Sequence, residues 1–258
     1  MASLDEDPSP AVLGFSHRLD GDTIVGEVEI TDHVRVPGTT MVRPSILAKL
    51  SDVAAGALAN RRTAPQVALT VDLTVRSLAV TDRPTLAIVA RLVKFGRTTI
   101  IGEVWFSEPG SERPVALSHV TFTPSPRPQD VHQGIPTTRA FNVGEMTRPF
   151  AEQVASRVIQ PGVVEIDRHP YVMQASGTIQ GGVISLLGEL AAESLMGAPV
   201  LDLEMRYLST VRSGPARTSA IDMGGSVVRV EVRDAGNDDR FAALIMARTA
   251  PRREVADG

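Results

Sequence analysis

The chain repeats itself, and this repeat constrains its fold more than any other feature. Residues 71–78 resemble residues 201–208, which lie 130 positions later. Residues 113–117 resemble residues 240–244 at a spacing of 127. Because the spacing changes so little while the order of the matches is kept, the pattern indicates a duplicated domain with small changes in its loops.

Each copy has the same order of hydrophobic patterns. A helix is predicted over residues 45–60 in the first copy and over residues 182–196 in the second. An extended segment precedes each helix, at residues 23–31 and 163–166. β-branched residues and alternating polar positions then predict four strands in each copy: residues 67–78, 85–94, 98–106 and 114–123, followed by 200–208, 216–223, 226–232 and 241–249.

Both predicted helices are apolar over nearly their whole surface, as a buried helix is. A strongly curved antiparallel sheet wrapped around one central helix fits this pattern, because it buries one face of every strand. The sequence therefore predicts an α+β fold with two such domains, residues 11–123 and 139–251. A Pro-rich segment, residues 124–138, is predicted to link them and to stay out of the sheet.

Composition excludes several classes of protein. The chain has no cysteine, so it has neither disulfides nor thiolate metal sites, and its five histidines lack metal-ligand spacing. A net charge of −4 without a basic, aromatic-rich patch argues against nucleic acid as a partner. No apolar run reaches the ~18 residues of a membrane span, and residues 1–10 are unlike a secretory signal. We expect a cytoplasmic protein with a short disordered leader.

A family resemblance enters at the residues around the two helices. In the second copy Gln174 and the run Gln180-Gly181-Gly182 precede the helix, and Glu189 follows Gln180 by nine positions. In the first copy Asp52 lies in the helix and Thr70 in the next strand. This pattern resembles the hotdog-fold thioesterases of the phenylacetate-pathway and 4-hydroxybenzoyl-CoA group. That family has an Asn, a His-Gly-Gly helix start, a helical Asp or Glu, and a Ser or Thr that assists the carboxylate.

The resemblance implies two hotdog domains that form a pseudo-dimer within one chain. It implies an acyl-CoA or acyl-carrier-protein thioesterase of fatty acid metabolism that needs no cofactor and no metal. The chain also departs from the family pattern. The first copy has Arg43-Pro44-Ser45 in place of His-Gly-Gly, and Pro44 has no amide to donate. The second copy has Gln180 for His, Gln174 for Asn, and Val200 where the Ser or Thr would lie.

Helix length decides which of these residues can act together. Glu189 lies seven residues beyond Gly182, about 10 Å along a helix, so the two cannot act on one carbonyl group. The carboxylate of one helix must therefore face the amino-terminal end of the other. We predict one working site, which combines Asp52 and Thr70 with Gly181, Gly182, Gln174 and Gln180. The second arrangement, with Glu189 as a secondary candidate, has Pro44, Ser45 and Val200, so it lacks a donor and the hydroxyl.

Other interpretations stay open at this point. Asp52 could be a structural acid paired with Lys49 one turn earlier, and Gly181-Gly182 could be only a tight turn. The protein could be a non-catalytic acyl-CoA-binding sensor. A hotdog dehydratase or hydratase is less favoured, because that branch has a His a few residues after an Asp and neither helix of this chain contains this pattern. A serine hydrolase is disfavoured because no Gly-x-Ser-x-Gly motif occurs. Acyl chain length, aryl preference, the choice between CoA and carrier protein, and assembly into a homo-oligomer are not determined by the sequence.

Overall fold

The computed structural model describes residues 13–126, 138–139, 146–174 and 176–251. Within these residues the helices are α1 (Pro44–Thr63), the short α2 (Phe150–Gln153) and α3 (Gly181–Met196). The strands before α3 are β1 (Phe15–Asp20), β2 (Thr23–Glu29), β3 (Ala68–Ser77), β4 (Thr85–Phe95), β5 (Ile100–Ser107), β6 (Pro114–Pro124), β7 (Thr138–Arg139), β8 (Arg157–Gln160) and β9 (Val163–Ile166). The strands after α3 are β10 (Val200–Tyr207), β11 (Ala216–Gly224), β12 (Val227–Asp234) and β13 (Arg240–Thr249).

All thirteen of these strands belong to one antiparallel sheet. Strands of the first copy lie in the order β1-β2-β4-β5-β6-β3, and those of the second in the order β8-β9-β11-β12-β13-β10. The two orders are the same when corresponding strands are compared. The predicted α+β class with two units of one pattern is therefore confirmed.

The two copies meet where β3 pairs with β10. Thr74 lies opposite Glu204, and these two residues are also equivalent in the sequence repeat at its spacing of 130. A pseudo-twofold axis therefore passes through this pair. On one side of the pair, Arg206 Nε lies 2.9 Å from Asp72 Oδ1. Backbone pairing and cross-strand ion pairs together make the two units one continuous sheet.

Each long helix lies buried against the sheet strands of its own copy, and α1 and α3 also contact each other. Leu47 and Leu50 of α1 and Leu186 and Leu187 of α3 belong to one hydrophobic core. This arrangement explains why both helices are apolar nearly all round: the sheet covers one side and the other helix covers part of the remainder. No helix in the described part of the chain is long and apolar enough to cross a membrane.

The structure differs from the sequence prediction at the edges of the sheet. Strands β1 and β8 were not predicted. All four residues of β8 are exposed, so this strand shows no alternation of buried and exposed positions. Pro124 was expected in the linker but is the last residue of β6, opposite Ala68, where a missing amide is tolerated. Thr138, the expected end of the linker, pairs with β1. Residues 127–137 of the expected linker and the leader, residues 1–10, lie outside the described residues.

The packing of α1 on the sheet makes opposite predictions for two glycines. A Cβ at Gly102 of β5 would stand 2.7 Å from the Cβ of Ala55, whereas one at the helical Gly56 would meet Phe122 at 3.7 Å. We expect Gly102→Ala to lower the free energy of unfolding by about 1–3 kcal/mol. We expect Gly56→Ala to raise it by about 0.5–1 kcal/mol. Urea unfolding of both variants measures this, and unchanged stability of Gly102→Ala would contradict the close helix–sheet contact.

Candidate active site

The first turns of α1 and α3 have the same backbone hydrogen bonds but different partners. In each helix two amides donate to the carbonyl oxygen of the residue before the helix, Arg43 or Gln180, at 3.0–3.2 Å. The preceding amide of α1, that of Ser45, donates to Glu189 Oε2 at 2.8 Å. The equivalent amide of α3, that of Gly182, has no acceptor among the described residues. One helix start is therefore closed by a carboxylate, and the other is not.

Asp52 and Thr70 are in direct contact. The hydroxyl of Thr70 on β3 donates to Asp52 Oδ1 at 2.5 Å, a short distance typical of a hydroxyl bound to a carboxylate. Asp52 is half-buried on α1. The Thr70 hydroxyl, on the strand that follows the helix, thus orients the carboxylate of Asp52. A supporting hydroxyl in a catalytic site would have the same effect.

Lys49 lies across the start of α3. A Cβ at Gly182 would stand 2.7 Å from the Cβ of Lys49, so only glycine allows the two helices this approach. The Lys49 ammonium donates to Gln180 Oε1 at 2.6 Å, and the Gln180 amide group donates to the carbonyl oxygen of Met173 at 3.0 Å. Gln180 is buried and is fixed from both ends of its side-chain amide.

Tyr207 of β10 completes this group and was missed by the sequence analysis. Its hydroxyl donates to the carbonyl oxygen of Gly181 at 3.2 Å. Burial, and then the negative charge of Asp52, raise the pKa of Tyr207 above its ordinary value. The negative charge of Asp52 therefore acts on the hydroxyl group of Tyr207. The signal in the sequence is that Tyr207 aligns with Ser77 in otherwise similar strands of the two copies.

Gln174 is not brought into this group. It is exposed on the loop before α3, and its side chain donates to Thr178 Oγ1 at 2.7 Å within the same loop. Its neighbour Ala175 lies outside the described residues. Among the residues that the structure describes, no three His, Asp or Glu side chains cluster closely enough to hold a metal ion.

The second predicted arrangement holds a buried ion cluster. Glu189 is fully buried, and Arg43 Nη1 lies 2.6 Å from its Oε1. The other carboxylate oxygen of Glu189 accepts a hydrogen bond from the amide of Ser45, so Glu189 caps α1. Arg43 Nη1 also lies 3.0 Å from Glu193 Oε2. The donor that could bind a substrate oxygen is thus occupied by the protein's own carboxylate.

The charges of this cluster shift the titration of its members. Burial and the nearby charge of Glu189 raise the pKa of Glu193 to about 7, although Arg43 opposes this shift. Burial lowers the pKa of Arg43, but the charges of Glu189 and Glu193 outweigh it and raise that pKa overall. Arg43 therefore remains a cation between two acids, one of which titrates near neutral pH.

No protein-family model matches the sequence, and no curated protein sequence matches it. Solved structures do match its fold. The 12:0-ACP thioesterase from Umbellularia californica superposes with a TM-score of 0.64 at 8% identity, covering 91% of this chain and 99% of that one. The acyl-ACP thioesterase from Bacteroides thetaiotaomicron superposes with a TM-score of 0.63 at 10% identity, covering 89% and 98%.

A third match is a conserved protein with a hotdog fold from Alicyclobacillus acidocaldarius. It superposes with a TM-score of 0.57 at 12% identity, and the match covers 95% of this chain and 98% of that one. Each of these matches extends over both copies of the repeat. The chain therefore has a fold of two hotdog units, as the resemblance in the sequence predicted.

The raised pKa of Glu193 predicts how stability depends on pH. Its ordinary value is 4.5 and its value in the folded protein is about 7, so folding favours the protonated form. This contribution is complete below pH 4.5 and is lost as the pH rises through 7, with a total of up to about 3 kcal/mol. Glu193→Gln should remove that decline. Urea unfolding at pH 5 and pH 8 compares the two proteins, and parallel pH profiles would contradict the assignment.

The ion cluster also predicts a non-additive pair of substitutions. Arg43→Leu leaves the carboxylate of Glu189 buried without its cation, which should cost about 3–5 kcal/mol of stability. The double variant Arg43→Leu, Glu189→Leu removes both charges and should be more stable than Arg43→Leu alone. Thermal unfolding of both single variants and the double variant measures this coupling. If the two changes in unfolding free energy simply add, Arg43 and Glu189 are not energetically coupled.

Proposed function

We propose that this protein hydrolyses acyl thioesters at one composite site between its two hotdog units. The observation that carries the proposal is the difference between the helix starts. At α3 the amide of Gly182 has no acceptor among the described residues, whereas at α1 the equivalent amide is bound to Glu189. A helix start with a free donor suits the oxygen of a thioester carbonyl, which becomes negative during attack.

The carboxylate of Asp52 is the second element of this site. In the proposed reaction it acts as general base for water or as the nucleophile itself, because a carboxylate can fill either role at a carbonyl carbon. Thr70 holds its Oδ1 at 2.5 Å and so fixes the orientation of the carboxylate. The amides of Gly181 and Gly182 bind the thioester oxygen, and Gln180 forms the polar wall beside it. Gln174 is proposed to lie nearer the entrance, since it is exposed.

The substrate class is proposed from the matched folds. Two of the matched proteins are described as thioesterases for acyl chains carried by acyl-carrier protein. We propose an acyl thioester of carrier protein or CoA, in the fatty acid metabolism of the cytoplasm.

A non-catalytic acyl-CoA sensor is the second candidate, and one observation favours it. The stem of Lys49 packs closely against Gly182, the residue whose amide would bind the substrate oxygen. If this contact persists when ligand binds, the carbonyl group would be held away from Asp52. Such a protein would bind thioesters without cleaving them.

A matched pair of isosteric variants tests the proposed function. Asp52→Asn removes the base and should reduce kcat for thioester hydrolysis by at least about 100-fold. Glu189→Gln changes the equivalent carboxylate in the other repeat and should retain activity within a few fold. Acyl-CoA and acyl-carrier-protein substrates are assayed by the release of free thiol.

Two outcomes would contradict the proposed site. An active Asp52→Asn variant together with an inactive, folded Glu189→Gln variant would move the chemistry to the other helix. Saturable binding of acyl-CoA by the wild-type protein without any released thiol would instead identify the sensor.

A further inference from the structure

The carbonyl oxygen of Gly181, the first in α3, accepts hydrogen bonds from two side-chain hydroxyl groups. The hydroxyl of Tyr207 on β10 donates to it at 3.2 Å, and the hydroxyl of Ser185, one turn later in α3, donates to it at 3.0 Å. The Tyr207 ring also lies against the helix start, since a Cβ at Gly181 would stand 3.4 Å from its hydroxyl oxygen. This carbonyl group is therefore held by one donor on the sheet and by another in the helix.

The two hydrogen bonds constrain the carbonyl group to different degrees. A serine in a helix commonly bonds to the carbonyl oxygen one turn earlier, and the Ser185 hydroxyl also lies 3.1 Å from the carbonyl oxygen of Gly182. The bond from Tyr207, in contrast, joins two separate elements of the fold. The sulfur of Met205 lies 3.6 Å from the same hydroxyl, but a thioether is a weaker acceptor than a carbonyl oxygen. Tyr207 is thus the main tertiary constraint on the Gly181 carbonyl group.

The carbonyl group of Gly181 and the amide of Gly182 belong to one peptide group. Because a trans peptide group is planar, a donor that fixes the direction of its C=O also fixes the direction of its N–H. A hydrogen bond to the oxygen also draws electron density from the nitrogen and makes the N–H a stronger donor. The amide of Gly182 has no acceptor among the described residues. The two hydroxyl groups therefore act on the open donor at the start of α3.

The other copy of the repeat lacks both of these contacts. Ala48 lies 137 positions before Ser185, at the spacing that relates the two helices, and has no hydroxyl. Ser77 lies 130 positions before Tyr207, and its hydroxyl has no hydrogen-bond partner in the described part of the chain. The fold therefore forms this helix start without such contacts. They are found in the copy whose helix amide is open.

We infer that Tyr207 is a positioning residue whose hydroxyl, together with that of Ser185, orients and polarises the peptide group whose Gly182 amide binds the thioester oxygen. This inference rests on the proposed thioesterase function. In this role Tyr207 acts through the peptide group and transfers no proton. Burial and the negative charge of Asp52 raise the pKa of Tyr207, so the phenol keeps its proton and remains a donor at neutral pH.

The size of the effect follows from the value of the donor that is polarised. One donor to a developing oxyanion contributes about 100- to 1,000-fold to kcat. A hydrogen bond strengthens the next one in a chain by about 10–30%, which on a logarithmic scale is about 2- to 8-fold in kcat for each hydroxyl. The effect falls on kcat more than on KM, because a stronger donor matters most when the oxygen becomes negative.

The test compares Tyr207→Phe and the double variant Tyr207→Phe, Ser185→Ala with Ser77→Ala, the matched control in the other repeat. Tyr207→Phe removes only the hydroxyl and should lower kcat by about 2- to 8-fold. The double variant should lower it by about 4- to 60-fold, with KM within about twofold of the wild-type value. Ser77→Ala should match the wild-type protein.

An infrared measurement distinguishes polarisation of the site from a loss of stability. The Asp52→Asn protein should hold a thioester substrate with a ¹³C-labelled carbonyl group long enough for the stretching frequency of that group to be recorded. A strong donor lowers this frequency, so the addition of Tyr207→Phe and Ser185→Ala should raise it. The addition of Ser77→Ala should leave it unchanged.

The outcomes separate this inference from the proposed function. If the wild-type protein is active and Asp52→Asn is not, a double variant with kcat within about twofold of wild type overturns only the role of Tyr207. A change confined to KM would also overturn it. If the double variant does not unfold cooperatively, the carbonyl frequency in Asp52→Asn, Tyr207→Phe decides, and an unchanged frequency overturns the inference. Absence of hydrolysis by the wild-type protein overturns both proposals.

Discussion

The pairing of β3 with β10 is the constraint on which the rest of the structure depends. It joins two copies of one unit about a pseudo-twofold axis at Thr74 and Glu204. Because the axis relates the copies, it also sets α1 and α3 side by side in opposite directions. The start of each helix then meets the middle of the other. Both the Asp52 group and the Glu189 cluster exist only because of this geometry.

The same geometry has two chemical outcomes, and side-chain length and partner explain the difference. Asp52 is a short acid, and the hydroxyl of Thr70 holds it. Glu189 is longer by one methylene group, and Val200, at the position equivalent to Thr70, has no hydroxyl. The carboxylate of Glu189 extends instead to the amide of Ser45 and to the guanidinium of Arg43. One copy therefore keeps an available donor, while the other uses the equivalent donor for stability.

The sequence predicted the helices and most strands well, because the spacing of apolar residues along the chain indicates which face of an element is buried. Both long helices and the strands after them bury regular faces, and the repeat supplied the relation between the copies. Strand β8 was missed because its four residues are all exposed at a sheet edge. The contacts of Lys49 with Gln180 and of Arg43 with Glu189 join residues 131 and 146 positions apart, and no local spacing encodes such pairs. The candidate site residues could be named from motifs, but the contacts of Lys49 and Arg43 beside them required the fold.

The joining of both units in one chain has a consequence for how such a molecule can change over time. In a dimer of identical subunits every substitution appears at two related places at once, so both helix starts must keep the same residues. A tandem gene is free of this restriction, and here Arg43 and Gln180 occupy related places with different partners. In the proposed function, each molecule therefore takes up one acyl group rather than two, and its saturation by substrate follows a simple hyperbola.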